Sequence, residues 1–312
     1  MKFNLLDALV AFYGMLHNKR GNPIKSLFFL RYLVRWLANK FLPIYLSTNN
    51  NNNKYSGILK KNEPKIIVSM TSFPGRINTV WMVIECLLRQ TRKPDMIILY
   101  LSKKQFKSLQ EIPEPLKTKI GEVFHIELVD ADYRSHKKYL YAFQQFSNDI
   151  VITVDDDIFY PTTMIESLIK HHRNNPHAVI CRYAHKIEYD KMGKIKPYKC
   201  WENALDFKKN DFFGSGGGTL FCPKEMYKDV TDINVAIKLC PLADDVWLNA
   251  MARLNGLSIV VSARNPILPI YSETKEKLCS VNFDQNMNDV QIKKVIMFYK
   301  NKIGVNPFAK KS

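Results

Sequence analysis

Acidic residues are in short supply. The 312-residue chain carries 29 Asp and Glu against 46 Lys and Arg, for a formal charge of +17 and an isoelectric point near 9.5. That balance favours anionic partners such as nucleic acid, anionic lipid or phosphorylated substrates. Cysteine is sparse as well. The six cysteines, at positions 86, 181, 200, 222, 240 and 279, include no CxxC pair. A disulfide scaffold, a zinc ribbon and a thioredoxin-type redox motif therefore have no support, and a reducing cytoplasm is the simpler setting. Glycine (12) and proline (15) are too few for a collagen-like or low-complexity chain. The glycine-rich stretch lacks GK[ST], so it is no P-loop. An arginine-rich groove motif and an RNP-like aromatic signature are also missing, and nucleic acid is not an expected partner.

The positive charge is unevenly spread. Residues 1–62 hold ten basic side chains and one acid, Asp7, so half of the excess lies in the first fifth of the chain. Residues 3–16 and 24–46 are apolar with interspersed cations. In the second stretch Arg31, Arg35 and Asn39 share one helical face, with Leu30, Val34, Leu37 and Phe41 on the other side. Its cations argue against a spanning helix, each costing about 2.5–3.5 kcal/mol at a bilayer centre. A signal peptide would need an uninterrupted apolar region and a small-residue cleavage site. Two readings remain: an amphipathic basic segment on an anionic membrane, or a helical pair packed on the main domain. The polar tract Asn49–Asn53 reads as a linker.

From Pro64 the pattern changes. Short apolar, β-branched runs at 65–69, 95–102, 123–130, 149–154 and 178–183 read as strands. They alternate with helical periodicity at 78–90, 136–146 and 162–174. This alternation implies an α/β sandwich with a mainly parallel sheet, whose ligands bind beyond the carboxyl ends of the strands. The loop 71–76 and the run Asp155-Asp156-Asp157 both fall at that edge.

Three adjacent carboxylates repel, and burying them is costly without a cation. In extended geometry Asp155 and Asp157 point to one face, where they suit Mg²⁺ or Mn²⁺. A helix-capping cluster or a solvated turn is the competing reading. The segment VITVDDDIFYP, following PKIIVSMTSFPGRI, resembles the nucleotide-sugar-dependent glycosyltransferases of the GT-A fold, nearest to bacterial family-2-like enzymes of capsule or lipopolysaccharide assembly. The resemblance spans about residues 64–260.

It implies a GT-A-like, Rossmann-type α/β/α sandwich preceded by the N-terminal helical segment. It also implies that Asp155 and Asp157 hold the metal on the donor diphosphate, with Asp155 and Asp156 near the nucleotide. Thr71, Phe73 and Arg76 fall where similar enzymes bind uracil and ribose, and a turn at Pro74-Gly75 would let Arg76 reach a phosphate. Asp130 stands where family members contact the base. Lys137 and Lys138 open a helix, an unfavourable place for cations unless a phosphate is near; otherwise they are surface lysines. Gly216 and Gly217, within Phe213–Thr219, belong to a loop that similar enzymes set beside donor sugar and acceptor, or to a plain β-turn. Trp201 would stack on a sugar face or fill the core, and His185 would contact substrate or be structural.

Asp244 and Asp245 open a helix over 244–254. They resemble the acidic pair of inverting enzymes, in which the second acid, here Asp245, is the base and Asp244 orients substrate or caps the helix. Both acids would also simply favour a helix N-terminus. No His follows Asp245, so the additional C-terminal metal ligand of some relatives has no counterpart.

The expected organisation is a basic helical segment (1–48), a linker (49–62), a catalytic domain (63–262, its nucleotide half 63–160 and acceptor half 161–262) and a C-terminal loop and helix (263–312). The expected function is inverting, metal-dependent transfer from a nucleoside-diphosphate sugar, a UDP-sugar first, to a glycan or lipid-linked acceptor at the inner face of a bacterial plasma membrane. The rivals are a metal-dependent nucleotidyl- or phosphotransferase and a non-catalytic basic module binding membrane or nucleic acid.

Overall fold

In a computed structural model, residues 4–18, 20–48, 63–203, 211–262, 267–272 and 286–310 are described. The expected parallel strands form at β1 (Ile66–Thr71), β2 (Met96–Ser102), β3 (Phe124–Val129), β4 (Ile150–Val154) and β5 (Ala178–Cys181). The short strands β6 (Ala184–Lys186), β7 (Glu202–Asn203) and β8 (Phe212–Phe213) make a small separate sheet. β9 (Gly217–Phe221) and β10 (Ser258–Val261) complete a seven-stranded sheet of order β10-β5-β9-β4-β1-β2-β3. β9 alone is antiparallel, wedged between β4 and β5. The fold is thus the expected α/β sandwich with a mostly parallel sheet.

The alternating side chains of β1 show how the two layers arise. Ile66, Val68 and Met70 face one core, shared with α1 (Leu5–Met15), α2 (Phe28–Thr48), α3 (Val80–Leu88) and α6 (Met164–Asn174). Ile67 faces the other, built with α5 (Lys137–Gln145), α7 (Ile233–Leu239), α8 (Asp244–Leu254) and α9 (Met287–Ile303). A short α4 (Glu114–Lys117) precedes β3.

Two expectations need correction. The glycine run is not a loop ahead of a strand, because Gly217 and Gly218 are the first residues of β9. Gly218 has φ +96, and a Cβ there would lie 2.6 Å from Met164 Sδ, so only glycine lets β9 pass so close to α6. In α2 the Arg35 and Asn39 part of the polar stripe turns to the protein and not to solvent. Asn39 donates from Nδ2 to Pro269 O at 3.0 Å and accepts from Tyr271 N–H at 2.7 Å. The Arg35 guanidinium lies 5.2 Å from the Tyr271 ring centroid. Val34, Ala38, Leu42 and Leu46 face the core, whereas Phe41, expected among the apolar contacts, is exposed. The N-terminal pair packs on the sheet's own core, and Asp7 accepts from both the backbone N–H (2.8 Å) and Oγ1 (2.5 Å) of Thr162.

Among the described residues, no helix is long and apolar enough to cross a membrane. The expected linker 49–62 and, within the expected C-terminal loop and helix, residues 263–266 and 273–285 lie outside the described residues.

Candidate active site

Four segments meet at the carboxyl edge of the sheet: the loop after β1, the acids after β4, the N-terminus of α5, and the turn into β9 with the start of α8. The central strands β1 and β4 carry no charged side chain up to this edge, where Val154 gives way to three acids. The strand geometry ends there, and the middle acid turns inward. Asp156 is buried, accepting from Ser72 Oγ at 2.5 Å and from Arg76 Nη1 at 2.8 Å. Burial pushes its carboxyl upward, against the pull of Arg76. The same Arg76 nitrogen lies 3.0 Å from Asp157 Oδ2, and its guanidinium sits 5.5 Å from the Phe73 ring centroid.

Asp155 and Asp157 stay partly exposed. Burial and then the charge of Asp155 push Asp157 up to about 7, although Arg76 opposes them. Two repelling, partly exposed carboxylates are a hard-oxygen pair suited to a divalent cation. Asp155 gives Oδ1 to Lys138 and Asp157 gives Oδ2 to Arg76, so each ion pair engages a single carboxylate oxygen. Among the described residues, no cluster of three or more metal-binding side chains forms. Two carboxylates therefore fit a cation only as part of its shell, the remainder coming from substrate oxygens and water.

Lys138 joins the two acidic clusters. Its Nζ, buried at the start of α5, lies 2.9 Å from Asp155 Oδ1 and 3.1 Å from Asp244 Oδ2. Burial alone would discharge it, but Asp155 and Asp244 more than offset that and hold it charged. Ser215 then fixes the second cluster. Its Oγ donates to Asp244 Oδ2 and its backbone N–H to Asp245 Oδ1, both at 2.6 Å. Asn249 in α8 clasps Phe213, accepting from its N–H at 2.9 Å and donating to its C=O at 2.8 Å.

The two acids of the pair are driven apart. Burial would raise Asp244, but Lys138 and His136 outweigh it and hold the carboxyl at about 2. Asp245 has no ion pair of its own among the described residues. Burial and the neighbouring Asp244 charge push it up to about 6. Acids separated in this way take different chemical roles.

Gly216 shows why the run must be glycine here. A Cβ at this position would come within 1.9 Å of the Asp155 carboxylate. Its φ is not left-handed, so the demand is purely steric. Gly216→Ala should displace Asp155 from Lys138 and lower turnover about a hundredfold while the chain still melts cooperatively. Turnover within a few-fold of wild type would remove Asp155 from the site.

Other residues singled out from sequence are engaged differently. Lys137 is buried and pairs with Asp132 at 2.5 Å. Asp130 is exposed and pairs with Lys103 at 2.7 Å. Thr71 donates from Oγ1 to Tyr100 O at 2.8 Å. Trp201 and His185 lie in an aromatic cluster with Tyr198. The Trp201 indole N–H donates to Lys196 O at 3.0 Å, and burial pushes His185 down to about 4, leaving it neutral. Gly217 packs beside Tyr183 and Ile267.

Sequence reasoning missed Ser72, Ser215, Tyr160 and Asn249. The Tyr160 hydroxyl accepts from Asp155 N–H at 2.8 Å and donates to Gly216 O at 2.5 Å, binding the acid loop to the glycine strand. Its position five residues beyond Asp155 carried no signal, because its partner is 56 residues away.

This is the strand-edge acidic site of a nucleotide-handling α/β protein. The sequence model of Glycosyl transferase family 2 matches residues 72–228, half of the chain. The chain belongs to that family and is a glycosyltransferase. Among solved structures it is similar to the mannosyltransferase PcManGT from Pyrobaculum calidifontis, in complex with GDP-Man and Mn²⁺. That pair is 13% identical with a TM-score of 0.47, over 94% of this chain and 76% of that one. It is also similar to 4-diphosphocytidyl-2C-methyl-D-erythritol synthase, at 12% identity and a TM-score of 0.42, over 72% of this chain and 99% of that one. No curated protein matches the chain.

Proposed function

We propose that the protein moves a sugar from a nucleoside-diphosphate sugar to an acceptor hydroxyl with inversion, Asp245 serving as the base. The observation that carries this reading is the Ser215 clamp: one residue of the glycine turn holds both carboxylates of the pair, while Lys138 ties that pair to Asp155. Acceptor and donor ends of a reaction would thus be held about one buried lysine.

The acceptor hydroxyl passes its proton to Asp245 as its oxygen bonds to the anomeric carbon; the bond from that carbon to the diphosphate oxygen breaks, releasing a nucleoside diphosphate. An ordinary Asp is a feeble base toward an alcohol. Asp245 is better matched, because burial and Asp244 lift its proton affinity toward working pH. Asp244, held ionised by Lys138 and Ser215, orients the loop and sustains that lift. Arg76, at the mouth of the β1 loop, and Lys138 supply positive charge near the departing diphosphate. Asp155 and Asp157 would hold Mn²⁺ or Mg²⁺, which when bound would offset charge on the leaving group.

A UDP-sugar is the first donor to test. A glycan or lipid-linked acceptor of bacterial surface polysaccharide assembly, reached from an anionic membrane surface on the cytoplasmic side, suits the basic N-terminal fifth. A thermal-shift screen of nucleotide sugars with and without Mn²⁺ tests the reading. One nucleoside diphosphate should stabilise the protein by several degrees, and chelator or Asp157→Ala should abolish the effect. Stabilisation by a nucleoside triphosphate, followed by its consumption, would instead favour nucleotidyl transfer.

A further inference from the structure

The outward face of α2 has no partner among the described residues and is aromatic. Val34, Ala38, Leu42 and Leu46 form its inner stripe at a spacing of four. A residue two positions away lies about 200° around the helix. That rotation brings Phe28, Tyr32, Trp36 and Ile44 to the opposite side, and Phe29 joins them. These five side chains are between 43% and 76% exposed. So many large apolar groups on one short stretch exceed the scatter normal for a soluble surface.

The chemistry around the patch selects its occupant. No Asp or Glu occurs between residues 20 and 48. Lys40 and Arg31 lean over the patch, the Lys40 ammonium 5.1 Å from the Trp36 ring centroid and the Arg31 guanidinium 5.6 Å from that of Phe28. Lys25 is exposed at the start of the same stretch. Aromatic side chains with cations beside them and no acids match the interface of a bilayer that carries negative headgroups. A protein partner of ordinary composition would be matched by mixed charge.

We infer that α2 seats this aromatic face in the interfacial layer of an anionic membrane. The Arg35 and Asn39 side is turned to the protein instead. This deepens, and rests on, the membrane-surface part of the proposed function by naming the face and its orientation. It also ties the membrane to the site. Asn39 grips the backbone of Pro269 and Tyr271, and between them Ile270 N–H donates to Asp157 O at 2.7 Å. The docked helix is therefore fastened through one short strap to the acidic loop, which fixes the site's position relative to the lipid surface.

Vesicle co-sedimentation of the full chain tests this. Binding is expected to phosphatidylcholine vesicles containing about one-third phosphatidylglycerol, and to weaken as salt rises. Phe29→Ser with Trp36→Ser should weaken it about tenfold or more. Lys25→Glu with Lys40→Glu should weaken binding to the anionic vesicles alone. Trp36, the most exposed of the four tryptophans, should shift its emission to the blue on binding. All these variants should keep wild-type nucleotide-sugar stabilisation, which separates this test from that of the catalytic reading. No binding to anionic vesicles by a chain that still binds donor would overturn the inference. So would binding that survives both pairs of substitutions, or a dimer in solution that Phe29→Ser and Trp36→Ser dissociate, which would give the face to a second copy.

Discussion

Asp245→Asn should lower kcat by about a hundredfold to ten-thousandfold while leaving donor binding intact. The substitution is nearly isosteric, and the Asn oxygen still accepts the Ser215 N–H that Asp245 accepts at 2.6 Å. What it removes is the charge that takes the proton. Asp245 is pressed against the ionised Asp244, so neutralising it also relieves repulsion. The variant should melt at or slightly above the wild-type temperature, the signature of a site strained for function. In the wild type, the base must be unprotonated, so kcat/KM should fall about tenfold per pH unit below about 6. Donor-binding measurements over the same range separate this limb from loss of the nucleotide. Near-wild-type turnover by Asp245→Asn would point to a retaining reaction, in which no base is required for the acceptor in this position.

The parts of this site that are legible in sequence are those in which one local segment breaks a rule. An uncharged strand that ends in Asp155, Asp156 and Asp157 is such a break, and so is a helix opening on Asp244 and Asp245. Both appear where expected, with α8 spanning the anticipated residues. The layered α/β order was equally readable, because each strand and helix carries its own periodicity. What could not be read is the wiring between segments. Ser215 looks like one more small residue in a glycine run, and its role arises only because α8 returns to β9's entrance. Lys137 and Lys138 are equivalent in sequence, yet one helical step sends the first to Asp132 and the second between Asp155 and Asp244. The demand for glycine at the entrance to β9 was hidden for a related reason: Gly216, just ahead of the strand, is fixed by Asp155 and Gly218 by Met164, which both lie elsewhere in the chain. In α2 both sides are apolar, so periodicity alone did not decide which one the fold would cover.

Lys138→Met should cost about 3–5 kcal/mol of stability, because it strands carboxylates that were packed against a buried cation. In a chain of this size that is a fall of roughly 5–10 °C in melting temperature. The loss should depend on pH in a defined direction. Asp244 is held low in the folded protein, chiefly by Lys138 against the cost of burial. A carboxyl held low stabilises the fold fully above its unfolded value, and that contribution fades as pH drops through the folded one. Without Lys138 the folded value rises, so the variant's deficit is greatest near neutrality and shrinks in acid as Asp244 takes up a proton. Adding Asp244→Asn to Lys138→Met should recover part of the loss, since the stranded charge is then gone. A merely space-filling lysine would behave otherwise: its replacement by Met would cost little, the cost would not vary with pH, and the second substitution would add to the damage. The same cycle read in turnover should show both single variants impaired and no recovery in the double variant, because Met at 138 and Asn at 244 leave Asp245 without the neighbouring charge that lifts it to its working range.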